Sequence, residues 1–195
     1  MKRLFVFSIA LVLCAGLLTG CDGSGSPSDR EPAEISGEIY STGEFQAFVP
    51  EGWRTYPITD PFAEGDPVKT DCFFLNKGGE RDWHVSQKPY IRLEHFGPGE
   101  EIDEPIPDPA LERDVEECPA LRFGDLTWNG YAANSYHGRA RIGRFAILWT
   151  EKDNHKYQAF VWFQSGGEGI RLEDADLQAI LASLAPADGV SSDTE

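Results

Sequence analysis

The chain is expected to fold as an α+β protein, an antiparallel β-sheet with helices packed on it, and three features carry that expectation. Runs of aromatic and branched residues recur between clusters of Gly, Pro, Asn and Asp, the punctuation of strands and turns. One run, 157–164, is apolar on both sides: Tyr157, Ala159, Val161 and Phe163 alternate with Phe160 and Trp162. Such a strand is expected at the centre of a sheet covered on both faces. The segment 173–184 supplies a cover, because Leu177, Ile180, Leu181 and Leu184 fall on one side of a helix.

Taken in order, the first strand is 44–49, ending at Pro50, Glu51 and Gly52, a turn that leads into Trp53. Strands follow at 71–75, 89–96, 124–128, 131–136, 144–150 and 157–164. Asn129 and Gly130 separate two of them and form the strongest short hairpin signal in the chain. Lys152, Asp153 and Asn154 predict a second hairpin. Asp108 followed by Pro109 is expected to start a short helix carrying Leu111 and Val115. In the last helix, Glu173, Asp174 and Asp176 suit the positive end of the dipole, and Pro186 stops it.

The two ends have a different character. Lys2 and Arg3 precede an uncharged apolar stretch, 4–18, and then Thr19, Gly20 and Cys21. That stretch is shorter than the roughly 20 apolar residues a membrane span needs, and it has the layout of a secretion signal. Residues 18–21 resemble the bacterial lipobox. The resemblance implies that Cys21 is diacylated, that the leader is cut before it, and that the new amino terminus is acylated. Cys14 does not fit, because bulky Leu13 precedes it. Two or three acyl chains, at about 0.8 kcal/mol per buried methylene, would hold a domain at a membrane without a span. The expected organisation is a signal peptide at 1–20, a Gly/Ser/Pro-rich acidic tether at 21–37, one globular domain at 38–186 and an acidic tail at 187–195. The expected location is the extracytoplasmic side of the cell membrane, with the lipid on Cys21 as the membrane contact.

Without the leader the chain keeps 15 of its 17 basic residues against 33 acidic ones, a formal charge of −18. A surface of that sign repels nucleic acid and anionic headgroups, so no nucleic-acid partner is expected. It also keeps an exported domain soluble. Cys72 and Cys118 are the thiols left in the domain, and in an oxidising compartment they form a candidate disulfide that would add about 4 kcal/mol. Equally, each reads as a small buried hydrophobe.

Phe45, Phe48, Pro50, Gly52 and Trp53 at one end, with Asp176, Gln178, Ile180, Leu181, Ser183 and Leu184 at the other, resemble the ends of the PsbP-like α/β sandwich. That family is named for a photosystem accessory protein and also occurs among bacterial lipoproteins of unknown role. The resemblance implies a non-catalytic accessory or binding module, and it carries over no functional residue. The acidic stretch at 97–119 has no counterpart in it.

Motifs of known chemistry are missing from the sequence. There is no Gly-x-Ser-x-Gly elbow, no His-Glu-x-x-His, no paired Cys-x-x-Cys and no phosphate loop. His84, His95, His137 and His155 stand singly. No catalytic residue and no cofactor is assigned, and a hydrolase with an active site hidden from sequence is the alternative reading. The carboxylates of 100–117, beginning with Glu100, Glu101, Asp103 and Glu104, are weak candidates for cation binding, since calcium needs several oxygens converging on one point. Their spacing fits a solvated loop better. Trp149 and Trp162 are expected in the core. Trp83, in a polar stretch, and the basic cluster Arg139, Arg141 and Arg144 are the candidate binding surface. The functional expectation is a lipid-anchored module that binds a cell-envelope protein or a small molecule through one face of its sheet; its oligomeric state is left open.

Overall fold

A computed structural model describes residues 35–85, 87–165 and 168–187. The leader, Cys21, most of the tether and the tail after residue 187 lie outside the described residues. The chain opens with β1 (Gly37–Ser41), β2 (Phe45–Pro50), β3 (Trp53–Thr59) and β4 (Val68–Lys77). A 3₁₀ turn at Asp82–His84 leads to β5 (Tyr90–Phe96), β6 (Glu112–Glu117), β7 (Leu121–Phe123), β8 (Leu126–His137), β9 (Ala140–Lys152) and β10 (His155–Trp162). Short β11 (Gln164–Ser165) and β12 (Glu168–Gly169), the helix α1 (Ala175–Ala182) and β13 (Ala185–Pro186) follow.

All strand pairs are antiparallel. The large sheet runs β3-β4-β5-β10-β9-β8-β6, with β7 also on β8, and a smaller sheet runs β1-β2-β13. The small sheet and α1 lie on one face of the large one. There Phe45, Ala47 and Val49 meet Phe73, Leu75, Ile91, Leu93, Ala146, Leu148, Tyr157, Ala159 and Val161, with Leu177, Ile180 and Leu181 of the helix fully buried among them. Asp176 ties the helix down, accepting hydrogen bonds from Lys77 Nζ at 2.6 Å and Trp53 Nε1 at 3.2 Å.

The α+β expectation is corrected: the described residues form an antiparallel β-sandwich with one eight-residue α-helix among them. The helix expected after Asp108 is instead the edge strand β6. Its residues pair with β8 through a bulge between Arg113 and Glu116, where Asp114 adopts φ 53°. Leu111 and Val115, taken as a buried helical stripe, are 50% and 43% exposed. The hairpin expected at Asn129–Gly130 is also absent, since both lie inside the unbroken β8. Gly130 is there for close approach: a Cβ would strike the Ile147 carbonyl and come 2.9 Å from Leu148 Cα. The chain turns at Gly138 instead, between paired His137 and Ala140. The second hairpin is where the sequence placed it. Asp153 and Asn154 both take positive φ between paired Lys152 and His155, the geometry of a type I′ turn.

Candidate functional site

Alternation along each strand sends every second side chain away from the covered face. On that other face the register aligns Phe74, Arg92, Phe160, Ile147 and Tyr131 in one row across β4, β5, β10, β9 and β8. A neighbouring row holds Tyr90, Trp162, Phe145 and Ala133. The rings touch in series. Phe74 meets Tyr90 edge-on at 5.6 Å, Tyr90 lies 5.9 Å from Phe160, and Phe145 lies 5.2 Å from Phe160 and parallel to Trp162 at 6.4 Å. Tyr131 closes the series, 6.2 Å from Phe145.

Phe74, Tyr90, Ile147, Trp149, Phe160 and Trp162 are each only partly buried. Of these, Ile147, Trp149, Phe160 and Trp162 pack against buried Tyr131, Ala133 and Phe145 in a cluster built from β8, β9 and β10, with no residue from the small sheet or α1. Among the described residues the small sheet and α1 thus cover one side of the large sheet and not the other, where Tyr131, Ala133 and Phe145 are buried beneath partly exposed neighbours. The expectation that Trp149 and Trp162 belong to a doubly covered core is corrected: alternation identified the two faces, but an apolar pattern does not state whether anything is laid on the second.

Gly143 seats the central tryptophan. A Cβ there would lie 2.8 Å from Trp162 Cη2 and closer still to Cζ2, so the indole occupies the space a side chain would have used. Polar groups punctuate the surface. Arg92 pairs with Glu94 in mid-face, and its Nε is buried without a hydrogen-bond partner. Tyr131 Oη donates to Glu112 at 3.0 Å. Burial, with Glu112 adding, raises the Tyr131 phenol well above its usual pKa. Burial raises Tyr90 too, with Arg92 opposing. Both phenols thus stay neutral at any physiological pH, with the buried Tyr131 hydroxyl committed to Glu112.

The residues singled out from sequence are dispersed. Arg139 and Arg141 are exposed at the β8–β9 turn, whereas Arg144 is engaged, its Nη2 2.6 Å from Glu116 Oε2. The three do not form a clamp. The Trp83 side chain lies outside the described residues. Glu101, Asp103 and Glu104 are exposed, and Glu100 accepts the Gly97 N–H at 2.6 Å. Among the described residues no group of three or more His, Cys, Asp and Glu is placed to hold a metal ion.

Cys72 and Cys118 are both free, with β5, β10, β9 and β8 between their positions in the sheet. Five strand spacings make about 24 Å, far beyond disulfide reach. Burial pushes the Cys72 thiol up to about 12, and the Cys118 thiol is raised as well. Both read as packed hydrophobes rather than nucleophiles.

Two of the scattered histidines do meet. His95 Nε2 and His155 Nδ1 are 2.9 Å apart in a buried contact, bonded to each other rather than to a serine or thiol. Sequence reasoning missed this pair; the available signal was that His95 and His155 share the inward parity of Leu93 and Tyr157 on their strands.

No protein-family model matches the chain, and no curated protein matches it. Among solved structures the chain is similar to cyanobacterial PsbP (CyanoP) from Synechocystis sp. PCC 6803, determined in solution. The two share 13% sequence identity over 87% of this chain and 98% of that one, with a TM-score of 0.40.

Proposed function

We propose that this chain is a lipid-anchored extracytoplasmic binding module, held to the membrane through Cys21, and that the open aromatic face of its large sheet docks a basic partner protein. The observation that supports the reading is the series of touching rings from Phe74 to Tyr131, in which Phe145 and Tyr131 are buried and Phe74, Tyr90, Phe160 and Trp162 are partly exposed, on the side of the sheet away from the small sheet and α1. An apolar surface rimmed by polar groups is the usual form of a protein contact. Charge selects the partner. With 33 acidic residues against 17 basic ones, a second copy would be repelled and an electropositive surface attracted. Phe160 and Trp162 are the anchors of the contact, and the Arg92–Glu94 pair fixes its orientation.

The test places a photo-crosslinking residue at Ile147, on the open face, or at Gln178, on the helix, in intact cells. The expected result is a discrete adduct with a basic protein from position 147, none from 178, and loss of the adduct in Trp162→Ala. Equal yields from both positions would overturn the docking surface. Cys21→Ser tests the anchor, with release of the chain from membranes expected and unchanged membrane partition refuting it.

A further inference from the structure

On the covered side, at one end of the sandwich, β5 and the β3–β4 hairpin frame a cleft of about 450 Å³, within the size range of small-molecule sites. Its charged lining is Glu44, Asp60, Asp71 and Glu100 against the single base Lys69. His95 forms the inner wall. Its side chain is only 4% exposed, packed between the Phe45 and Tyr157 rings at 5.4 and 5.3 Å, and its Nδ1 has no hydrogen-bond partner. Glu44 Oε2 is 3.7 Å from that nitrogen, too far for a direct hydrogen bond. The other Glu44 oxygen is taken by the Thr70 hydroxyl.

A buried ring nitrogen left unpaired costs free energy, so its place beside a free carboxylate oxygen calls for a third group. Burial, with His155 adding and Glu44 opposing, lowers the His95 pKa below its ordinary value, so the ring is neutral near pH 7. If Nε2–H donates to His155 Nδ1, Nδ1 turns a lone pair to the cleft. Two acceptors 3.7 Å apart then face the cleft, and an ammonium nitrogen set beside both satisfies them with two of its N–H groups. A resident metal fits less well, because no third His, Cys, Asp or Glu is in ligating position among the described residues.

We propose that this cleft is a binding site for a small organic ammonium ion, a primary amine or short diamine, with its N–H groups donating to His95 Nδ1 and Glu44 and its charge balanced by Asp71 and Glu100. The site is separate from the open face and does not depend on the docking role.

The full chain, treated with EDTA, is titrated with putrescine at 150 mM salt, using calorimetry together with ¹⁵N resonances of the histidine rings. Saturable one-to-one binding that moves the His95 ring signals is expected, weakened at least tenfold in Glu44→Gln and in His95→Phe. Uncharged 1,4-butanediol, of the same length, is expected not to bind. Glu44 is about half exposed, so Glu44→Gln decides the matter should His95→Phe not fold. Trp162→Ala is expected to leave the affinity unchanged. Putrescine that leaves the His95 signals unmoved, binds Glu44→Gln as tightly as the parent, or binds only after calcium or zinc is added would each overturn the assignment.

Discussion

Replacing Gly143 with alanine tests how the open face is built. In an ordinary strand position the change is favourable, because glycine is destabilising there by roughly 0.5–1 kcal/mol relative to alanine. Here the new methyl would enter the Trp162 indole, 2.8 Å from Cη2 and nearer still to Cζ2, well inside normal contact. The indole must leave its seat or the strands must part, and overpacking of that kind costs about 1–3 kcal/mol. Trp162→Ala removes the obstruction, so on that background Gly143→Ala is expected to be neutral or mildly stabilising. The double-mutant cycle should therefore show a coupling of more than 1 kcal/mol between two residues on neighbouring strands. Urea unfolding of all four proteins, followed by far-ultraviolet circular dichroism, measures it. Additivity within about 0.5 kcal/mol would refute the claim that Trp162 lies on Gly143. The proposed partner gives a second readout: Gly143→Ala should weaken capture while the Cys21 anchor is untouched.

Asp176→Ala removes the acceptor shared by Lys77 and Trp53 and should destabilise by about 1.5–3 kcal/mol, with Asp176→Asn costing less because it can still accept from the indole; thermal melts decide. Burial alone would raise the Asp176 pKa, but the hydrogen bonds from Lys77 and Trp53, with the Lys77 charge, prevail and hold it below the usual aspartate value. Its contribution is thus fully present above about pH 4 and disappears as pH falls through the lower folded value, a loss that Asp176→Asn should not show. His95 has the same sign for a base. Its folded pKa lies below 6.5, so stability is full above pH 6.5 and declines as the pH drops from there toward the folded value, and His95→Phe should flatten that part of the profile. Finally, Cys72 should resist alkylation at pH 8 until urea is added, and intact mass under non-reducing conditions should show no bond between Cys72 and Cys118; rapid native labelling would contradict the buried thiol.

The strands most legible in sequence were those whose pattern is set by alternation alone. The expected run at 89–96 became β5, that at 157–164 became β10, and the Asp153–Asn154 turn followed because both residues tolerate positive φ. Misreadings arose where a residue has two physical uses. Gly130 looked like a turn because glycine accepts unusual φ, yet in β8 it serves the other property of glycine, the missing Cβ that lets Ile147 and Leu148 come close. Leu111 and Val115 have the spacing of a helical stripe, but Leu111 lies in the turn before β6 and Val115 in its bulge, so neither is buried. The open face was half legible. Alternation sets Phe160 and Trp162 on the opposite side of the strand from Tyr157, but whether anything lies over them depends on the paths of β2 and α1, which local sequence does not encode. His95 and His155 are 60 residues apart, and only the register of β5 on β10 brings them together.

The borders of the sheet are what the docking proposal expects of a contact surface. Both edges are guarded against chance pairing. On one side β6 carries Arg113, Asp114, Glu116 and Glu117, all exposed, and is bent by its bulge. On the other, β3 has exposed Pro57, which cannot donate to a ladder, and a register shift between Pro57 and Thr59. No comparable charge interrupts the centre of the face, where Arg92 is neutralised by Glu94 next to it and the rings run on unbroken. A sequence with 33 acidic residues had ample means to place one among Phe160, Trp162 and Phe145. Introducing it, as Phe160→Glu, therefore separates the two accounts. If the face serves only packing, that variant loses stability and nothing else. If it receives a partner, Phe160→Lys and Phe160→Glu destabilise alike, yet only the lysine variant also loses the attraction to a basic surface, and the two should differ in crosslinking yield at equal folded fraction.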